Sequence, residues 1–343
     1  MRILQIAPPW FAVPPSGYGG IEWIVASLAD ELVAAGHDVT LHASGGSVTT
    51  ATLQSVYDVP PSLHIGNPWY EATHAVAAYA QMSEFDIVHD HTGAIGPAIA
   101  AGRSGGPPVV NTLHGCWTAA NELLYRAISH RVSLTAISHD QASRTPKGIE
   151  VADVVHNGIA MERYPFRAEK EDFLLFVGRA SADKGPEIAV EVAKQLRMPL
   201  VMAMKVSEPL EIDYYEQIIL PAMHGADVDV RMHVGHDEKI DLLGRARTVL
   251  VPIRWDEPFG LVMAEANACG TPVVAYRRGA APEIVADGET GYLVAPGDVR
   301  AFVDAAASTA EIDPEACRAR IAAEFSASRM VERYVALYER LLG

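Results

Sequence analysis

Two glutamates eight residues apart, Glu257 and Glu265, bracket the segment EPFGLVMAE. The apolar run before it, "TVLVPI", reads as a strand ending near Ile253, and a helix is expected from around Phe259. Such strand-to-helix turns lie at the ligand-binding edge of a parallel sheet. Glu257 is expected just before the helix and Glu265 two turns inside it, so that Glu257, Leu261 and Glu265 occupy similar helical angles, with the carboxylates roughly 10 Å apart. Between them, the amides of Phe259, Gly260, Leu261 and Val262 are first-turn donors without intrahelical acceptors, and Gly260 leaves room for close approach. A diphosphate suits those amides. One carboxylate would then accept from sugar hydroxyls and the other from ribose hydroxyls. An isolated glutamate pair is explained as well by a charge at a helix start and a solvated residue. Here Pro258, Gly260, the strand before and "CGTPVV" after favour a site.

Other residues supply complementary chemistry. Arg179 follows the apolar run "FLLFVG", and Lys184 with Gly185 opens the next helical segment. An ammonium there meets phosphate oxygens beside amide donors, and both cations would stabilise a departing diphosphate. Gly19 and Gly20 fall between the first strand and first helix, where bare backbone can approach a ligand, although "GYGG" is not GxGxxG. Glu22 reads as a first-turn helix charge rather than a catalytic group. His114 ends "VVNTLH", a place from which its imidazole can donate to a sugar hydroxyl, while most lone histidines at strand ends are structural. Gly235, His236 and Asp237 precede a further helix. His89, Asp90 and His91 are neighbours whose side chains alternate faces in a strand, so they do not converge on a metal; Asp90 or His91 could instead serve an acceptor. "DVD" at Asp227–Asp229 reads as a turn and strand start. Trp10, Tyr18, Trp69 and Trp117 are candidates to line an acceptor cleft, with buried packing as the more ordinary role for most of them.

The elements needed to position these residues are legible in apolar periodicity. The runs "RILQI", "DVTLHA", "DIVHD", "PVVNTLH", "LTAIS" and "ADVVHNG" alternate with helical stretches, the first of which repeats Ile21, Ile24, Val25, Leu28 and Leu32 and closes at Gly36. This pattern predicts a largely parallel sheet covered by helices. It lapses in "IAMERYPFRAEKED" and resumes with "FLLFVGR", "LVMAMK", "VDVRMHVG", "TVLVPI" and "TPVVAY". At 343 residues, two such domains are expected. We place them at 1–165 and 166–326, with a cleft between. Met330, Val331, Tyr334, Val335, Tyr338 and Leu341 recur at helical spacing in 327–343, a helix expected to pack back across the junction.

Composition narrows the classes. The formal charge of −16, with about seven Lys/Arg against fourteen Asp/Glu in the first 165 residues, argues against nucleic acid and against stable membrane association. No apolar run approaches the ~20 residues of a bilayer span, and the start lacks a signal-peptide pattern, which leads to an expectation of a cytoplasmic protein. Cys116, Cys269 and Cys317 include no CxxC pair and are expected to be reduced packing residues.

The EPFGLVMAE segment resembles retaining glycosyltransferase family four, whose members carry two glutamates at this spacing. "GYGGIE", "VHDHTG", "NTLHG", "HNGI", "FVGRASADKG" and "GAAPEIVADGETGYLV" resemble family landmarks in family order over nearly the whole chain. "PPSGYGGIEW" and the short length are similar to a compact bacterial subgroup that includes antibiotic-pathway enzymes. The resemblance implies a GT-B fold of two facing Rossmann-like domains, acceptor on the first and nucleotide sugar on the second. It implies Glu257, His114, Arg179 and Lys184 as catalytic residues. Gly19, Gly20, Phe259, Gly260, Leu261, Val262, Glu265 and Gly235 are implied for donor binding, with Gly279 and Glu283 in a further donor loop. Retaining transfer of a hexose-type sugar from a UDP-sugar to a small-molecule or glycan hydroxyl follows, with no metal or other cofactor. Rival readings are a nucleotide-sugar epimerase, a phosphorylase of related fold, or a non-catalytic sugar-nucleotide binder. A nicotinamide-dependent oxidoreductase is disfavoured by the missing GxGxxG.

Overall fold

The computed structural model describes residues 1–17 and 19–343; Tyr18, a candidate for the acceptor cleft, lies outside the described residues. The chain divides into two compact units, Met1–Gly158 with Ala327–Gly343, and Ile159–Ser326. Residues 159–165 therefore group with the second unit. Ile159 N–H donates to Phe325 O at 2.7 Å, and Arg318 donates to the carbonyls of Tyr164 and Met161. Among the described residues, no helix is long and apolar enough to cross a membrane.

The first unit is built on seven parallel strands: β1 (Arg2–Ile6), β2 (Asp38–His42), β3 (Thr52–Gln54), β4 (Ile87–Asp90), β5 (Val109–Leu113), β6 (Ser133–Ala136) and β7 (Val151–Val154). Their order is β3-β2-β1-β4-β5-β6-β7. Because both faces are covered, strands such as β4 and β5 are buried at every position. One face packs Leu4, Ile6, Val88 and Leu134 against Tyr79, Tyr125 and Ile128. The C-terminal helix Ala327–Leu342 belongs to this unit and buries Met330, Val331, Tyr334, Leu337 and Tyr338, whereas Val335 and Leu341 are half-buried. It meets the first helix, Gly20–Ala34, and its Tyr338 hydroxyl lies 2.6 Å from His89 Nδ1. A fully buried side chain of this size contributes on the order of 2 kcal/mol, so the tyrosine stripe is what holds the helix to the sheet.

The second unit has six parallel strands: β8 (Leu174–Arg179), β9 (Leu200–Lys205), β10 (Val228–Met232), β11 (Thr248–Val251), β12 (Val273–Tyr276) and β13 (Gly291–Val294). Their order, β10-β9-β8-β11-β12-β13, reverses direction between β8 and β11. The β8–β9 ladder runs from Leu174↔Leu200 to Arg179↔Lys205, whereas β8 and β11 pair only at Thr248↔Leu174 and Val249↔Leu175. Those two strands part toward their carboxyl ends. In open α/β sheets, the crevice at such a reversal is where ligands bind. "DVD" runs into β10 as a strand start. The helix expected from Phe259 begins instead at Leu261, because Gly260 at its N-cap takes a left-handed conformation (φ 88°, ψ 65°) that interrupts the helical path.

Candidate active site

Arg179 is the last residue of β8, Lys184 lies in the turn before the helix Pro186–Leu196, and Glu257 lies in the loop between β11 and the helix Leu261–Ala268. All three stand at the strand reversal of the second sheet. Lys184 Nζ forms an ion pair with Glu257 Oε2 and sits 5.2 Å from the centre of the Trp255 ring. Both charged side chains are largely shielded, at 18% and 15% exposure. Arg179 is steered by Asp183, 3.1 Å away, and by the buried Glu211, 3.8 Å away. Arg254 donates its backbone N–H to Asp183 O and pairs through its side chain with Glu187, which ties the Lys184 turn to the Glu257 loop.

Glu257 is not helical, so the shared helical face expected for Glu257, Leu261 and Glu265 does not exist. The loop sets its direction instead: Glu257 N–H donates to Trp255 O at 3.0 Å, and its carbonyl accepts from Ala280 N–H at 2.9 Å. That second contact requires Gly279. Its φ is +57°, and a Cβ there would come 2.4 Å from Glu257 N. Leu261 and Val262 open the helix, and Met263 N–H makes a bond back to Gly260 O. First-turn amides of this kind point along the axis toward an anion. Phe259, just before, packs edge-on against Phe325 and is buried.

Glu265, inside that helix, is 5% exposed. Its Oε1 accepts from Tyr164 OH at 2.9 Å and from Lys239 Nζ at 2.6 Å. Lys239 lies on the helix His236–Arg245, whose N-cap is Gly235 in extended conformation (φ −69°). Burial and the neighbouring Lys239 ammonium lower the His236 pKa to about 4.

In the first unit, Gly19 is the N-cap of the helix that begins at Gly20. Glu22 is in its first turn, as expected, but buried: desolvation raises its carboxyl to about 7. His114 follows β5, with Nε2 3.0 Å from His91 Nδ1, and burial lowers it to about 4. His89 and His91 share one face of their strand segment, rings 4.0 Å apart. Asp90 projects oppositely and accepts from Tyr79 OH and Thr92 N–H, so the three do not converge. His89 is committed to Tyr338 OH and Thr112 Oγ1. Trp117 donates to Gln141 O, while Trp69 departs from the packing role expected for most of these aromatics: at 78% exposure it projects from the first turn of the helix Pro68–Ala80. All three cysteines are free, and Cys269 and Cys317 are buried.

Residues that sequence reasoning missed are the partners: Trp255 beneath Lys184, Asp183 and Glu211 on Arg179, and Tyr164 and Lys239 on Glu265. Only Asp183, four residues beyond Arg179, left a local signal, since i,i+4 pairs of opposite charge meet in a turn or helix.

Two parallel-sheet α/β units of seven and six strands define the GT-B class of glycosyltransferases. AviGT4, a glycosyltransferase involved in avilamycin A biosynthesis, is similar over 99% of this chain and 98% of its own, with TM-score 0.78 and 28% identity. Anabaena Alr3699/HepE, solved with UDP and glucose, shares the fold at TM-score 0.75 and 19% identity over 99% of this chain and all of its own. Residues 18–163 match the model described as Glycosyltransferase Family 4, and residues 161–324 match Glycosyl transferases group 1. The chain belongs to glycosyltransferase family four. Its relatives include D-inositol 3-phosphate glycosyltransferase 1 of Catenulispora acidiphila, 30% identical over 74% of this chain and 72% of that protein. Glycogen synthase of Mycobacterium tuberculosis is 29% identical over 93% of this chain and 88% of its own.

Proposed function

We propose that this glycosyltransferase moves a hexose-type sugar from a nucleoside diphosphate sugar, a UDP-sugar first among them, to a hydroxyl of a small-molecule or glycan acceptor, with retention and without a metal. One observation carries the reading: Arg179, Lys184 and Glu257 stand at the strand reversal of one sheet, and the helix that follows Glu257 carries Glu265, held by Tyr164 and Lys239. Arg179, Lys184 and the amides of 259–262 would take the diphosphate, Glu257 the sugar hydroxyls and Glu265 the ribose. Gly235 lies at the N-cap of a neighbouring helix suited to the base. Gly19, Gly20 and His114 belong to the first unit, and donor-side roles for them rest on the family resemblance of "GYGGIE" and "NTLHG". The HepE structures, solved with UDP and glucose and with UDP-glucose, support the choice of donor.

The chemistry assigned is a same-face substitution. The bond from the anomeric carbon to the diphosphate oxygen breaks, the bond to the acceptor oxygen forms on the same face, and the acceptor proton passes to a departing phosphate oxygen. The protein supplies positioning and charge stabilisation. A thermal-shift panel of nucleoside diphosphate sugars, followed by hydrolysis and transfer assays with the hit, tests the reading. Stabilisation by NAD alone sinks it, and binding without turnover leaves only a sugar-nucleotide binder.

A further inference from the structure

The carboxylate of Glu265 is held more tightly than binding a ribose by itself requires. Both of its protein donors, Tyr164 OH and Lys239 Nζ, fall on Oε1. They come from segments distant in sequence: Tyr164 closes the short helix Met161–Arg163, and Lys239 lies on the helix His236–Arg245. Tyr164 is 4% exposed. Its carbonyl is fixed by Arg318, which also holds the carbonyl of Ala268 at the end of the Glu265 helix at 2.5 Å. The His236 ring stands edge-on to Tyr164 at 6.0 Å. Each donor therefore has its own support, and the carboxylate plane is fixed from two sides.

A carboxylate accepts at two oxygens. With Oε1 saturated by an ammonium and a phenol, Oε2 is left for ligand hydroxyls, and its orientation is no longer free to adjust. A preoriented acceptor selects ligands that present hydroxyls in the matching place, because a ligand lacking one leaves a buried polar group unpaired. We propose that Lys239 is a positioning and specificity residue: with Tyr164 it fixes Glu265 so that Oε2 accepts from the vicinal hydroxyls of a ribose, which makes the site select ribonucleoside over 2′-deoxyribonucleoside diphosphates. The inference rests on the reading of Glu265 as the ribose acceptor. Lys239 touches neither sugar nor phosphate in this scheme and acts through Glu265.

Calorimetry with UDP and 2′-deoxy-UDP on the full chain tests it. The parent protein should bind UDP the more tightly. Lys239→Met should weaken UDP by roughly tenfold or more, the size of one lost charge-assisted hydrogen bond, and should weaken 2′-deoxy-UDP, which keeps only the 3′-hydroxyl, clearly less, so that the selectivity falls. Lys239→Arg should restore most of the selectivity. In steady state, Lys239→Met should raise the KM for the donor and spare kcat. Tyr164→Phe removes one donor without a charge and should give a smaller change of the same kind, which keeps the test open should Lys239→Met unfold. If Lys239→Met weakens both nucleotides equally, or neither, the pair only ties two helices together and the inference is wrong. Glu265→Gln separates that failure from failure of the underlying reading: unchanged UDP affinity in Glu265→Gln removes the ribose role itself, whatever Lys239 does.

Discussion

Lys184 and Glu257 form an ion pair although 73 residues separate them, and each is a residue to which a donor would be bound. Under the proposed function Lys184 would lie beside the diphosphate and Glu257 beside the sugar, so the pair would link the leaving group to the reacting ring. Removing one partner leaves a shielded charge without its counterion, which costs more than the pair itself is worth. Glu257→Gln should lower kcat strongly, by two or more orders of magnitude for a charge acting near the transition state, and leave UDP affinity nearly intact. Lys184→Ala should lower both kcat and affinity. The double variant should lose less than the two single losses combined, since contacting residues are not additive. Strictly additive losses in a double-mutant cycle would show that the two groups act independently.

Gly279 gives a test of Glu257 that leaves its carboxylate in place. An added methyl meets Glu257 N and O at 2.4 and 2.6 Å, and φ of +57° disfavours any other residue. Gly279→Ala should therefore displace the Glu257 loop, cost on the order of 1–3 kcal/mol in stability and reduce kcat more than it weakens UDP binding. Denaturant unfolding alongside kinetics checks it. Wild-type turnover in a stably folded Gly279→Ala protein would mean that the loop position does not set catalysis.

How far the site was legible follows the range of its interactions. Strands such as "FLLFVG" and "TPVVAY" are unbroken apolar runs because both faces are covered, and they stand out in one dimension. The edge strand Thr52–Gln54 has three residues, none buried, and "GYLV" of β13 sits among turn residues, so neither carries a periodic signal. The sequence points to a helix start at Phe259, two residues before Leu261–Ala268 begins, because a glycine inside an apolar segment does not declare whether it will turn left-handed. Tyr164 and Lys239 reach Glu265 across 101 and 26 residues, and no local pattern encodes such meetings. Motif spacing located the carboxylates and cations; their partners needed the fold.

Transfer should survive chelation. Arg179, Lys184 and the first-turn amides can neutralise a diphosphate without a divalent ion, and the described carboxylates nearest them are already turned toward cations: Asp183 and Glu211 to Arg179, Glu257 to Lys184. Product formation in EDTA should match that in buffer. Complete loss, restored by Mg or Mn, would replace this account with a metal-assisted one. Nuclear magnetic resonance of the first-formed glycoside should show the anomeric configuration of the donor, and an inverted product would rule out same-face substitution.

Buried titratable groups give the first unit opposing responses to pH. Burial lowers His42 and His114 to about 4 and His74 to about 3, so their stabilising share is present above the ordinary 6.5 and is lost as pH falls through those values. Glu22 runs the other way. Its carboxyl is raised from 4.5 to about 7 by desolvation, the folded protein holds the proton more tightly, and stability from this group is present below 4.5 and lost as pH rises through 7. At about 1.4 kcal/mol per pKa unit, a shift of this size sets the effect at ~3 kcal/mol. Glu22→Gln keeps the shape and cannot ionise, so relative to the parent protein it should gain stability between pH 5 and pH 8 by up to that amount. Urea unfolding of both proteins at the two pH values measures the difference directly. The same stability difference at pH 5 and pH 8 would show that the Glu22 carboxyl does not titrate from a desolvated position in the folded chain.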